Sequence, residues 1–105
     1  MINVEAGNIN YDPIIIGCDA YYDIEWNFDT TGFDFDTELY KGDTKIENWT
    51  IETDNITNKS IMGIARAYSK DLTRGVYRWV VLQTDPYGEI NKVYGGEIKV
   101  KFDYE

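Results

Sequence analysis

The chain has 105 residues, of which 43% are hydrophobic and 15% aromatic, so it holds the material for one domain with one core and is too apolar to be a disordered segment. Ten Lys and Arg stand against nineteen Asp and Glu, a net charge of −9, which repels phosphate backbones and anionic membranes and speaks against nucleic-acid and membrane partners. One cysteine, Cys18, and no histidine exclude an internal disulfide, a Cys/His zinc site, and Ser-His-Asp or Cys-His catalysis.

Residues 1–12, MINVEAGNINYD, show no periodic pattern. They also lack the basic start and apolar centre of a signal peptide, and are expected to form an arm ahead of a domain over 13–105. Alternation then sets in. In Tyr22-Asp-Ile-Glu-Trp-Asn-Phe28 every second residue is apolar, the rhythm of a strand with one buried face. Phe33, Phe35, Thr37 and Leu39 repeat it, with Asp34, Asp36 and Glu38 outward, after a turn at Asp29-Thr-Thr-Gly32. Trp49 and Ile51 mark a third strand over 45–53, and the polar run 53–60 reads as a loop.

Residues 61–68, IMGIARAY, read as strand because Gly63 weakens a helix, and 69–75 as a helical turn ended by glycine. Tyr77, Trp79 and Val81 on one face, with Val80 and Leu82 on the other, describe a strand in the middle of a sheet. Asp85-Pro-Tyr-Gly88 is a turn and 89–94 the return strand. Gly95-Gly96 is expected to break that strand before a last one carrying Ile98, Val100 and Phe102. About seven short strands at this spacing predict an all-β, Ig-like antiparallel sandwich.

Several of these segments resemble, in order and spacing, the β-sandwich domains at the N-terminus of phage upper-baseplate proteins and their single-domain relatives. They are Ile15-Ile-Gly-Cys-Asp19, Asp29-Thr-Thr-Gly-Phe33, Leu72-Thr-Arg-Gly-Val-Tyr77, Asp85-Pro-Tyr-Gly88 and Gly96-Glu-Ile-Lys-Val100, and together they cover most of 14–100. Thr30 stands where that family usually has leucine. The resemblance implies a structural virion component with no catalytic residue and no cofactor. It also implies partners among the other virion proteins and further copies of the chain. Such a protein is made in the host cytoplasm and ends in the particle.

The residues leave little room for other chemistry. Asp29, Asp34, Asp36 and Glu38 could suggest calcium, but no Asp-x-Asp-x-Asp-Gly loop is present and the spacing suits a solvated strand face better. Cys18 beside Asp19 is disfavoured as a thiolate and is expected to be a half-buried structural cysteine. The Asn-x-Thr/Ser triplets at Asn48, Asn55 and Asn58 reflect an Asn- and Thr-rich sequence more simply than glycosylation. Tyr22, Trp26, Phe28, Phe33, Phe35, Trp49, Tyr77 and Trp79 are expected in the core.

Tyr11, Tyr21, Tyr40, Tyr87, Tyr94 and Tyr104 fall at turns, ends or outward positions and are the candidate interface. The sequence therefore leads to a non-enzymatic tail, neck or baseplate subunit, with a role as fibre adaptor open, that works by protein–protein contact. Two alternatives stand beside it: a capsid decoration protein, and a carbohydrate-binding module using surface tyrosines and carboxylates.

Overall fold

The computed structural model describes residues 7–8 and 11–105. In chain order the elements are β1 (Gly7–Asn8), β2 (Ile14–Ile15), β3 (Ala20–Glu25), β4 (Asp34–Lys41), β5 (Thr44–Lys45), β6 (Thr50–Asp54), β7 (Lys59–Ile64), α1 (Arg66–Ser69), β8 (Gly75–Thr84) and β9 (Ile90–Lys101). One sheet runs β1-β9-β8-β4-β5, with β2 also on β9, and the other runs β3-β7-β6. The chain crosses between sheets from β3 to β4, from β5 to β6 and from β7 to β8, as in an Ig-like sandwich. Most pairs are antiparallel, but β1 and β2 lie parallel to β9, at Tyr94–Gly95 and Val100–Lys101. The arm expected over 1–12 falls largely outside the described residues. Of it, Gly7–Asn8 pairs with β9, and the Tyr11 ring packs on Trp79 with centroids 5.5 Å apart.

Alternation along the strands builds the core. Ile24 and Trp26 from β3 and its extension, Thr37 and Leu39 from β4, and Tyr77, Trp79 and Val81 from β8 all point between the sheets and are buried. Met62 and Ile64 on β7 and Ile98 and Val100 on β9 complete the filling. Each of the buried aliphatic side chains contributes about 1.5–3 kcal/mol on leaving water. Because β8 sits between β9 and β4, its other face is also half-covered, which is why Val80 and Leu82 are apolar.

Four expected elements fall elsewhere. The strand expected over 45–53 is two pieces in different sheets, since the chain changes layer between Lys45 and Thr50, where Asn48 takes a left-handed φ of 67°. Residues 53–60 are a tight hairpin, with the turn only at 55–58 and Asn58 at φ 55°. The strand expected to reach Tyr68 ends at Ile64, and the helical turn comes earlier, at α1. Asp19, from the β2–β3 link, accepts a hydrogen bond from Arg66 N at 2.6 Å, and the Ser69 hydroxyl donates to Cys18 O at 2.6 Å. These contacts bridge about fifty residues, so no local signal marks them.

The fourth difference is at Gly95-Gly96. The pair does not break the chain, and β9 runs through it for 12 residues. Gly96 faces Trp79 across the sheet, where a missing side chain leaves width for the indole. A Cβ on Gly95 meets Lys92 Cε at 2.9 Å and Trp79 O at 3.3 Å. A bulge lies just beyond. Val81 faces Tyr94 and Leu82 faces Lys92, so Val93 is the extra residue, and it turns inward and is buried.

Two positions fix the corners. Tyr77 is buried, and its hydroxyl donates to Thr73 O at 2.6 Å and accepts from Thr73 N at 3.2 Å. That closes the β7–β8 connection in the manner of the tyrosine corner of Ig-like sandwiches. Tyr77→Phe is expected to lower unfolding stability by about 1–3 kcal/mol, read by denaturant melts, because the buried partner loses its hydrogen bond. Gly63 on β7 lies under the Tyr21 ring, and a Cβ there collides with Ala20 O and Tyr21. Gly63→Ala is expected to cost about 1–3 kcal/mol by overpacking in the same assay, against a few tenths for an exposed strand position.

Candidate functional site

Between the sheets the aromatic rings pack in two groups, one around Trp26 and one around Tyr22. Trp26 stacks on Phe35 at 4.4 Å and meets Tyr94 at 5.4 Å, and Tyr22 bridges Tyr11 at 4.7 Å and Trp49 at 6.4 Å. The indole N–H groups need partners in this dry interior. Trp26 Nε1 donates to Ser60 Oγ at 2.8 Å, and Trp49 Nε1 to Thr37 Oγ1 at 2.9 Å. Thr37 in turn donates to Val80 O at 2.8 Å, and Ser60 shares a 2.7 Å bond with Thr53. Hydroxyls thus satisfy the indoles of Trp26 and Trp49, while among the described residues Trp79 Nε1 and Gln83 Nε2 are buried without a partner.

The six candidate tyrosines are not one surface. Tyr94 was expected outward but has the inward parity of Ile98 and Val100, because β9 continues through the glycines, and it packs on Trp26. Tyr11 is half-buried, and its hydroxyl donates to Asp23 O at 3.2 Å. Tyr40 lies under the Arg78 guanidinium, 5.8 Å from its ring centroid. Tyr21 is 54% exposed on the outer face of the three-stranded sheet. Tyr87, 95% exposed at the β8–β9 turn, and Tyr104, past the end of β9, lie at opposite ends of a strand about 40 Å long. Tyr104 stacks on Phe102 with rings 5.3 Å apart.

The carboxylates disperse as well. Asp34, Asp36 and Glu38 stand along the outer face of β4, as the alternation predicts, and Lys45 pairs with Glu38 at 3.4 Å. Among the described residues no three acidic, histidine or cysteine side chains are grouped to hold a metal ion. At one end of the sandwich the acids serve their own turns. Asp29 accepts from Thr31 N at 3.0 Å, Asp54 from Ile56 N at 2.8 Å, and Asp85 from the N–H groups of Tyr87 and Glu89, both at 2.9 Å. These donors hold the Asp29 and Asp54 carboxyls below the ordinary carboxylate range, backbone hydrogen bonds being the main cause. Both remain anionic at neutral pH.

Other polar residues are absorbed the same way. Thr30 is fully buried, its N–H donates to Asn58 Oδ1 at 2.9 Å, and its hydroxyl lies 3.0 Å from Asn55 Oδ1. Thr30 ties the β3–β4 loop to the β6–β7 hairpin, and accounts for the two asparagines. Cys18 is exposed rather than half-buried, and the fold uses its carbonyl as the acceptor for Ser69.

What the surface offers instead is two broad sheet faces with aliphatic side chains that periodicity assigns outward but does not single out: Ile61 on β7 and Val76 on β8. Shallow grooves of about 290 Å³ and 320 Å³ run beside them. Among the described residues no helix is long and apolar enough to cross a membrane. No protein-family model matches the chain, and a search of curated proteins finds no match.

Tyr11 and Tyr22 carry a measurable signature. Burial, with Tyr94 and Asp23 adding to it at Tyr11 and Asp12 at Tyr22, pushes both phenols up to about 12 from 10.0. The folded state therefore keeps protons that the unfolded chain releases. The stabilisation is complete below pH 10 and is lost as pH rises from 10 to 12. In a spectrophotometric titration two of the nine tyrosines are expected to ionise near pH 12, and Tyr11→Phe to remove one of them and flatten the alkaline loss of stability.

Proposed function

We propose that this chain is a non-enzymatic structural component of a bacteriophage virion, a tail, neck or baseplate subunit, that works as a rigid block through protein–protein contacts. What supports the reading is where the segments of the resemblance fall. Asp19 holds the first turn of α1, Asp29-Thr-Thr-Gly-Phe33 is the β3–β4 turn, and Leu72-Thr-Arg-Gly-Val-Tyr77 is the tyrosine corner. Asp85-Pro-Tyr-Gly88 turns β8 into β9 through three bonds to Asp85, and Gly96–Val100 is the stretch of β9 paired to the start of β8. Each motif secures a corner or a pairing of the sandwich. The residues common to the resemblance therefore maintain a frame, and the frame presents its sheet faces.

The acidic exterior suits a contact role over a nucleic-acid one. Tyr40, one of the surface tyrosines a carbohydrate-binding module would use, has Arg78 over its ring, which weighs against that reading. Purified particles of the phage encoding this chain are expected to contain it in several copies by quantitative mass spectrometry, with antibody label at the tail or its junction with the head. Absence from particles that are otherwise complete overturns the proposal, as does saturable glycan binding lost in Tyr87→Ala. Label over the whole head selects the capsid decoration role.

A further inference from the structure

The outer face of the three-stranded sheet and one corner of the six-stranded sheet carry opposite charge patterns, each around one exposed aliphatic residue, while Asp34, Asp36 and Glu38 stand elsewhere on the six-stranded sheet, along β4. On the three-stranded sheet Asp23, Ile61 and Glu52 form a single row across β3, β7 and β6. Ile61 is 49% exposed. In the next row Lys59 is held by Glu25 at 3.5 Å, with Asp54 on its other side. Neighbouring strands are about 4.8 Å apart, so both carboxylates of the first row flank the isoleucine closely. Among the described residues no ion pair neutralises either of them. The groove of about 290 Å³ runs along this row, walled by Asp23, Glu52, Asp54 and Ile61 with Lys59 among them.

The corner of the six-stranded sheet where β8 begins and β9 ends inverts the pattern. Val76, 54% exposed, lies opposite Lys99, and Arg78 lies opposite Glu97. Lys101 continues the face two residues on from Lys99, and Arg74, just before β8, lines the same groove. The groove of about 320 Å³ runs between Arg74, Val76, Lys99 and Lys101. Four of the ten cations of a chain with net charge −9 are thus gathered around one valine, with only Glu97 and Glu105 beside them; Glu105 pairs with Arg74 at 3.0 Å.

We propose that these two surfaces bind each other between copies of the chain, the acidic face around Ile61 of one copy docking on the basic corner around Val76 of the next. The inference rests on the contact-block reading above and names the partner, a second copy, and the surfaces used. Ile61 and Val76 supply apolar burial at the centre. The charges around them set orientation, because two acidic or two basic faces repel. The patches lie on opposite faces of the sandwich, so the contact is heterologous. Each copy offers one surface of each kind, and the assembly continues into a ring or row rather than stopping at a two-fold pair. The overall −9 opposes approach at long range. At about 0.1 M salt the Debye length is about 10 Å, which screens that repulsion more than the close pairs.

Sedimentation velocity on the full chain at this ionic strength tests the docking. The wild type is expected to associate with rising concentration. Glu52→Lys and Lys99→Glu, both at exposed strand positions, are each expected to weaken association by about tenfold or more while leaving the circular-dichroism spectrum unchanged. Glu52→Gln and Lys99→Gln act in the same direction by a smaller factor. An equimolar mixture of Glu52→Lys and Lys99→Glu is expected to recover association, because the native basic corner of the first meets the native acidic face of the second. A wild type that stays monomeric, reversals without effect, or a mixture that fails to recover overturns the proposal. A monomer that is nevertheless found in particles ends the self-docking and leaves the virion reading standing. Association behaving as expected in a chain absent from particles does the reverse.

Discussion

The constraint on which the fold depends is the burial of three indoles between two thin sheets. Trp26, Trp49 and Trp79 are all under 8% exposed, and each brings an N–H that cannot be left in a dry interior without cost. Two hydroxyls answer this. Thr37 sits where a strand of this pattern ordinarily has an aliphatic residue and takes the N–H of Trp49 while donating to Val80 O. Ser60 does the same for Trp26 and passes its own bond to Thr53. Because Thr37 belongs to one sheet and Trp49 leads into the other, the hydrogen bond clamps the layers in one register. Rings supply the bulk of the stability, and the hydroxyls supply uniqueness of arrangement. Trp79 Nε1 has no such partner among the described residues, and its indole is accommodated by Gly96 across the sheet and Tyr11 above.

A second layer of polar bonds acts at the corners, most of it between segments far apart in sequence. Tyr77 closes the connection into β8, Ser69 and Asp19 lock α1 to the β2–β3 link, and Thr30 with Asn58 locks two loops at the other end. The parallel pairing of β1 and β2 with β9 covers part of an edge that exposed N–H and C=O groups otherwise leave open to foreign strands. A sandwich secured in this way deforms little, and a rigid block can present the same surface in every copy of an assembly. In the proposed contact role, the corner chemistry supplies that rigidity.

The charge distribution adds direction to the block. A uniform −9 serves only to keep copies apart. Here the carboxylates of the three loops at one end are engaged with backbone N–H groups, and those of the three-stranded face flank Ile61, while the cations collect near Val76. The patch around Ile61 and the corner around Val76 thus differ in sign while each keeps an apolar centre. That combination gives a contact both orientation and burial.

The sequence by itself determined the period-two rhythm, and with it the faces of β3, β4, β8 and β9, the central place of β8 and the sandwich class. Those features are local, since a strand's alternation is written residue by residue in its own side chains. Leu72-Thr-Arg-Gly-Val-Tyr77 was also legible as a strand entry, although its hydroxyl bond was not. Tertiary structure alone decided the rest: the continuation of β9 through Gly95-Gly96 and hence the inward turn of Tyr94, the split of 45–53 between two sheets, the helix held by Asp19 and Ser69, and the fate of Thr30. Each of these depends on a partner tens of residues away, a Trp79 opposite a glycine or an Asp19 reaching Arg66. The juxtaposition of Asp23, Ile61 and Glu52 belongs with them, because three strands must pair in one register before those side chains share a row.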